Sequence, residues 1–272
     1  MRIVGLLATS ALLSAHAMVS AAPKPPPLMT PTGPWNVEFA DSMCLLSRAY
    51  GDDRSTHLIF KPAMVGDDLE LIVTKARTSL SAGKYGKAVL SIEGKPSPAD
   101  TSFIAYSTKT QRLIRIWNKE DNFALAALHG TLQIDAKSEG RYSFAIPGID
   151  QALPVLTTCL DQLRTAYKIS KADLAAIATQ PEGRLASFFS TDDYPEAAWT
   201  NGLMGTVGVL VWVEATGRVS TCEVVETSAA PILQKTTCDI LTQRGRFKPA
   251  KDAAGRAIRA PAFGRIRWEL SS

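Results

Sequence analysis

The sequence predicts an α+β fold: a mixed domain with a mostly antiparallel sheet, followed by a small domain of strands packed on helices. Three observations carry this. Seven strand-like runs lie between Leu58 and Ile146. Leu153, Leu156, Leu160, Leu163 and Tyr167 then recur at helical spacing. Last, Val207, Val209, Val211 and Val213 alternate along a strand that the turn at Ala215-Thr-Gly217 sends back on itself.

The chain has 272 residues, 46% hydrophobic and 21% charged, a globular composition with room for two domains once a leader is set aside. Residues 3–13 are an apolar stretch behind Arg2, with small-residue cleavage sites at Ala15-His16-Ala17 and Val19-Ser20-Ala21. This reads as a secretory signal peptide over residues 1–22. The other reading is a retained membrane anchor, which Thr9, Ser10, Ser14, His16 and Ser20 would interrupt. Residues 23–34 are rich in proline and are expected to be extended and exposed, as a short spacer.

Residues 35–168 hold the first domain, with strands expected at 58–61, 69–74, 88–92, 103–107, 113–117, 131–134 and 142–146. Asn118 is positioned to cap a helix over 119–128, with Asp121 in its first turn. The stripe from Leu153 to Tyr167 closes the domain as an amphipathic helix, with Cys159 near its apolar side. Residues 169–190 connect the halves. There Ser170 and Asp173 make a capping box before a short helix, and Gln180-Pro-Glu-Gly183 breaks it. Residues 191–272 form the second domain, with strands over 206–214 and 219–226. Leu210 and Trp212 occupy the other face of the first strand, so that face is not simply solvated. Ser228 is expected to cap a helix that turns Ile232, Leu233, Ile240 and Leu241 inward. In the final strand Ile266, Trp268 and Leu270 alternate with Arg265, Arg267 and Glu269, an apolar face backed by a charged one.

Catalytic chemistry finds little to work with. Of three histidines, His16 lies in the leader, leaving His57 and His129. GxSxG and HExxH are absent, and the run Gly202, Gly205, Gly208 leads into a strand, where a dinucleotide loop would lead into a helix. No catalytic residue, metal site or cofactor is assigned. Five scattered tryptophans and a net charge of +4 give no footprint for a nucleic-acid partner.

The last third of the chain carries a recognisable pattern. Asp193-Tyr194-Pro195 with Ala197-Ala198 is followed by Gly202 and Gly205-Thr206-Val207. Next come Gly217-Arg218-Val219, Arg246-Phe247-Lys248-Pro249-Ala250, then Asp252, Gly255 and Ile258, and finally Trp268-Glu269-Leu270. In order and spacing this resembles the TonB C-terminal domain family over residues 190–272. The resemblance implies a three-stranded antiparallel sheet packed on helices. It also implies capture of an extended segment of an outer-membrane receptor by strand addition. Tyr194, Pro195, Gly205, Gly217, Phe247 and Pro249 are the motif residues it singles out. The edge offered to the partner would be Arg265, Ile266, Arg267, Trp268, Glu269 and Leu270. Full-length transducers of that family keep an N-terminal helix with a serine and a histidine four apart, and a long proline-rich spacer. Here Ser10, Ser14 and His16 lack that spacing and a whole domain stands in the spacer's position.

Export bears on the four mature cysteines, which should pair in an oxidising compartment. Three pairings exist, and one bond per domain selects Cys44 with Cys159 and Cys222 with Cys238. Charge is also uneven: eight basic and two acidic residues follow from position 244, a net +6, whereas residues 191–243 carry a net −5. The basic end is suited to an acidic peptide, lipid headgroup or peptidoglycan. The expected function is therefore a periplasmic protein that binds an envelope protein partner through its last strand and is linked to outer-membrane transport. A homodimer is left open. A membrane-anchored energy transducer is the alternative if the leader is retained, and an enzyme or ligand binder with its site in residues 35–168 is the other.

Overall fold

The structure, a computed structural model, describes residues 26–52, 54–66, 68–77, 83–96, 101–118, 125 and 128–270. Its architecture is α+β: a large mixed sheet curled around one long helix, and a three-stranded antiparallel sheet with a helix on one face. The leader expected over residues 1–22 and most of the helix expected over 119–128 lie outside the described residues.

The large sheet comprises β1 (Leu28–Met29), β2 (Asn36–Phe39), β3 (Cys44–Tyr50), β4 (Thr56–Pro62), β5 (Leu69–Ala76), β6 (Lys84–Ile92), β7 (Lys95–Pro96), β8 (Thr101–Ser107), β9 (Gln111–Asn118), β10 (Thr131–Asp135) and β11 (Arg141–Ala145). Their order is β1-β11-β10-β6-β8-β9-β5-β4-β3-β2, with β7 paired to β6, and β1 with β11 is its parallel pair. The seven strands read from the sequence are all present, their ends shifted by a few residues. β2 and β3 were not expected. In β3 Cys44, Leu46 and Tyr50 are buried, but Arg48 breaks the apolar alternation. Its guanidinium donates to the carbonyls of Gly33 (2.7 Å) and Pro147 (2.6 Å), which is how a charge is tolerated there.

The proline-rich segment is extended, as its composition demands, but it is docked where exposure was expected. Leu28 and Met29 pair with Ser143 and Phe144, Pro31 bridges to Tyr50, and Met29 packs on the core. This brings the β1 end of the sheet back to β3, so the sheet is curled nearly closed. The Tyr50 hydroxyl donates to the carbonyl of Ala145 (2.9 Å), and its ring meets Phe144 edge-on at 4.8 Å. Helix α1 (Ile149–Ala166) fills the curl with Ile149, Ala152, Leu156, Cys159, Leu160 and Leu163, a stripe at three- and four-residue spacing. Cys159 is bonded to Cys44 on β3. In the short α2 (Lys171–Ala175) the amide of Asp173 donates to Ser170 Oγ (3.1 Å), and the amide of Ser170 to the Asp173 carboxylate (2.9 Å).

The second sheet follows α3 (Glu196–Thr200). Its central strand β12 (Gly205–Val213) lies between β13 (Val219–Thr227) and β16 (Ala260–Trp268), with both pairings antiparallel. Helix α4 (Pro231–Arg244) covers one face, and β14 (Ala250–Lys251) and β15 (Ala257–Ile258) form a small hairpin. Val207, Val209, Val211 and Val213 are buried in one core with Leu233, Ile240 and Leu241 of α4. Cys222 on β13 is bonded to Cys238 on α4. Ser228 does not cap α4. Its hydroxyl accepts from the amide of Thr206 (3.1 Å), and the helix starts after Ala230, where Pro231 has its φ already set for a first turn.

The other face of β12 is covered as well. Leu210 and Val225 belong to the core of the large sheet, with Trp212 and Phe263 packed against it. Residues 178–189 run along the second sheet. Thr179 bridges to Lys251 and Glu182 to Lys248, and Leu185, Phe188 and Phe189 pack into its core.

Candidate functional site

β16 is an edge strand: it pairs with β12 on one side, and among the described residues no backbone hydrogen bond reaches the other. The register sets Ile266 opposite Val207, Arg265 opposite Gly208 and Arg267 opposite Thr206. Alternation sends Ile266 and Trp268 into the core under α4, and Arg265 and Arg267 to the opposite face. The strand is anchored at its end, where the Trp268 indole N–H donates to the buried Thr237 hydroxyl (2.9 Å). Of the six candidate edge residues, Arg265, Ile266, Arg267 and Trp268 lie on β16, and Glu269 and Leu270 follow it. Arg267 pairs with Glu269 at the surface (2.5 Å), and its guanidinium lies 5.3 Å from the Tyr85 ring of β6.

Arg265 is no solvated edge charge. It is ion-paired with Glu226 on β13 and stands 3.8 Å from Glu70 on β5. Glu226 also accepts from Lys61 on β4 (2.5 Å), and Glu70 accepts from Arg115 on β9. Three cations and two carboxylates therefore form one chain of charge between the sheets. Gly208 makes the crossing possible. It sits on the central strand between Glu226 and Arg265, and a Cβ there would stand 2.3 Å from Glu226 Cγ. Burial by itself would raise the Glu226 carboxyl, but the charges of Arg265 and Lys61 and the hydrogen bonds they donate hold it below its usual value. Burial likewise works against the Arg115 guanidinium, and its bond to Glu70 outweighs this and holds it above the usual arginine range. Glu70 Oε2 is buried with no hydrogen-bond donor among the described residues. Beside this chain of charge opens a cleft of about 340 Å³, walled by Arg265 and Arg267 on one side and by Lys61, Ile104, Arg115 and Trp117 on the other.

The motif residues frame the edge from behind. The Tyr194 hydroxyl donates to the carbonyl of Leu203, and its ring packs edge-on against Trp268 (5.2 Å) and Trp199 (5.8 Å). Pro195 precedes α3, and its carbonyl accepts from the amides of Ala198 and Trp199 (2.9 Å each). Asp193 holds Arg244 at the end of α4 in a two-pronged pair, and that bond keeps its carboxyl below the usual range. Gly205 opens β12. Gly217, at φ +80°, takes the turn, and its carbonyl accepts from the amide of Phe247 (2.8 Å). Phe247 is buried against Phe188, and Pro249 is half-buried just before β14. None of these six is on the edge itself.

His57 lies on β4 and His129 just ahead of β10. Among the described residues no group of three or more His, Cys, Asp and Glu is arranged to hold a metal, and no helix is long and apolar enough to cross a membrane. The sequence reading missed Lys61, Glu70, Arg115 and Glu226. Each is one charge in an ordinary strand, and only the meeting of two sheets joins them. The one available signal was Gly208, a glycine inside a valine-rich strand.

Residues 191–270 match the family described as Gram-negative bacterial TonB protein C-terminal. Among solved structures, the chain is similar to the NMR solution structure of the Helicobacter pylori TonB C-terminal domain, residues 179–285 of that protein. The identity is 18%, the TM-score is 0.25, and the match covers 41% of this chain and 95% of that one. No curated protein matches the chain. Residues 191–270, with the sheet β13-β12-β16 and helix α4, are therefore a TonB C-terminal domain carried on a longer chain.

Proposed function

We propose that this protein works in the periplasm, where its TonB C-terminal domain captures an extended segment of an outer-membrane receptor or other envelope protein by strand addition on β16. The observation that carries this reading is the edge of β16, which is unpaired among the described residues. Its free N–H and C=O groups can complete a ladder with an incoming chain, which supplies most of the affinity. Export is supported by the two disulfides, since such bonds persist in oxidising compartments. Loss of residues 1–22 is part of the reading, and N-terminal sequencing should find the mature chain starting between positions 18 and 23. The function needs no catalytic group or cofactor. The decisive experiment is titration of isotope-labelled chain with a receptor-derived extended peptide, following amide shifts. Shifts are expected along residues 265–268. Arg267→Pro, which removes an N–H and fixes φ, should weaken binding far more than Arg267→Ala. Shifts confined to residues 35–168 would refute strand addition.

A further inference from the structure

Resting on that reading, we propose that the cleft between β16 and the large sheet selects an extended peptide bearing a carboxylate side chain, with the large sheet as the second wall of the site. A peptide paired along β16 continues its pleat, so every second side chain points to the face that bears Arg265 and Arg267. That face does not look onto open solvent. Ile104 of β8 and Arg115 and Trp117 of β9 line the cleft opposite, and Tyr85 of β6 lies under Arg267. Four cations, Lys61, Arg115, Arg265 and Arg267, line it against two carboxylates, Asp68 and Glu70. Glu226 faces the adjoining cavity and Glu269 pairs with Arg267 at the surface, so the positive excess belongs to the cleft lining alone, and a peptide carboxylate must displace the exposed Glu269 from Arg267. Low-dielectric walls focus such a field on an incoming anion. The apolar flanks of Ile104 and Trp117 suit the methylene stem of a glutamate, which a bare inorganic anion lacks. Glu70 Oε2 adds a buried acceptor for a peptide hydroxyl or amide.

The test uses the chain from residue 23 and two capped heptapeptides of alternating threonine and valine that differ only in glutamate or glutamine at the central position. Both should shift the amides of residues 265–268. The glutamate peptide should bind about tenfold more tightly at low salt. That advantage should vanish at 1 M salt, where the screening length is about 3 Å. Ile104→Glu sets a like charge on the large-sheet wall and should abolish the advantage, whereas Ile104→Gln should keep it. Tyr85→Glu, at an exposed position, replaces Ile104→Glu if that variant does not fold. Equal binding of both peptides at β16 overturns the proposal and leaves strand addition standing. No shift on β16 with either peptide overturns strand addition and the proposal together. A glutamate preference that survives the like charge in a folded variant assigns selection to β16 alone and overturns the role of the large sheet.

Discussion

At Gly208 the missing Cβ lets a carboxylate on one outer strand reach a guanidinium on the other across the strand between them. Gly208→Ala should therefore push Glu226 aside and cost about 2 kcal/mol, read as a lower urea midpoint with an unchanged slope. The same cluster gives the protein a specific acid response. The Glu226 carboxyl is held below its usual value in the folded chain, so the unfolded chain takes up the proton first as pH falls. Its contribution is complete above the ordinary glutamate value of about 4.3 and is lost as pH drops from there through the folded value. Glu226→Gln should be less stable than the parent at neutral pH, by about 3 kcal/mol, because Arg265 and Lys61 lose their shared partner. The gap should narrow below about pH 4, which unfolding curves across pH 3–7 would test.

Helix α4 shows how local chemistry sets an element's ends. Pro231 fixes its start, yet Ala230 at the N-cap offers no side-chain acceptor for the first amides. Ala230→Asp should stabilise the protein by about 1 kcal/mol, with thermal unfolding as the readout. Ala230→Gly, which supplies no acceptor, should give little of this gain. The edge strand β16 is set differently. Its inward residues are fixed by packing and by the Trp268–Thr237 bond, while its outer backbone has no hydrogen-bond partner among the described residues. A strand held this firmly on one face can accept a partner on its edge without first being ordered, which lowers the entropic cost of binding.

Across the whole molecule, the second sheet is buried on both faces, by α4 and by the large sheet. A fragment of residues 191–272 would leave Leu210 and Val225 exposed, at about 2 kcal/mol each, and would lose the packing of Leu185, Phe188 and Phe189. A fragment starting at residue 176 restores the pairing of Thr179 and Glu182 with Lys251 and Lys248. It should unfold at a higher denaturant concentration than the shorter piece, and both should be less stable than the full chain. Equal midpoints for the two fragments would mean that residues 178–189 contribute nothing to this unit. Reduction should affect both sheets. Freeing Cys44 from Cys159, a separation of 115 residues, removes a loop constraint of roughly 4–5 kcal/mol.

Much of this was legible in the chain itself, because periodicity reports burial. The alternation in 207–213 and the leucine stripe of α1 fall where the sequence puts them, since one buried face dictates an apolar residue at every repeat. The turn at Gly217 and the capping box at Ser170 were legible for a local reason: their hydrogen bonds close within a few residues. β3 was hidden because Arg48 breaks the pattern and finds its partners in Gly33 and Pro147. The start of α4 was misread at Ser228 because a hydroxyl can bond to a distant strand as readily as to its own helix. The candidate site divides along the same line. That the last strand alternates between core and charge is a property of its residues alone. That Arg265 meets Glu226 and Glu70, and that Arg267 looks across a cleft at a second wall, depends on residues as far apart as 61 and 265. A single charge in a strand is indifferent to its partner's identity until folding brings one within a few ångströms and removes the water between them.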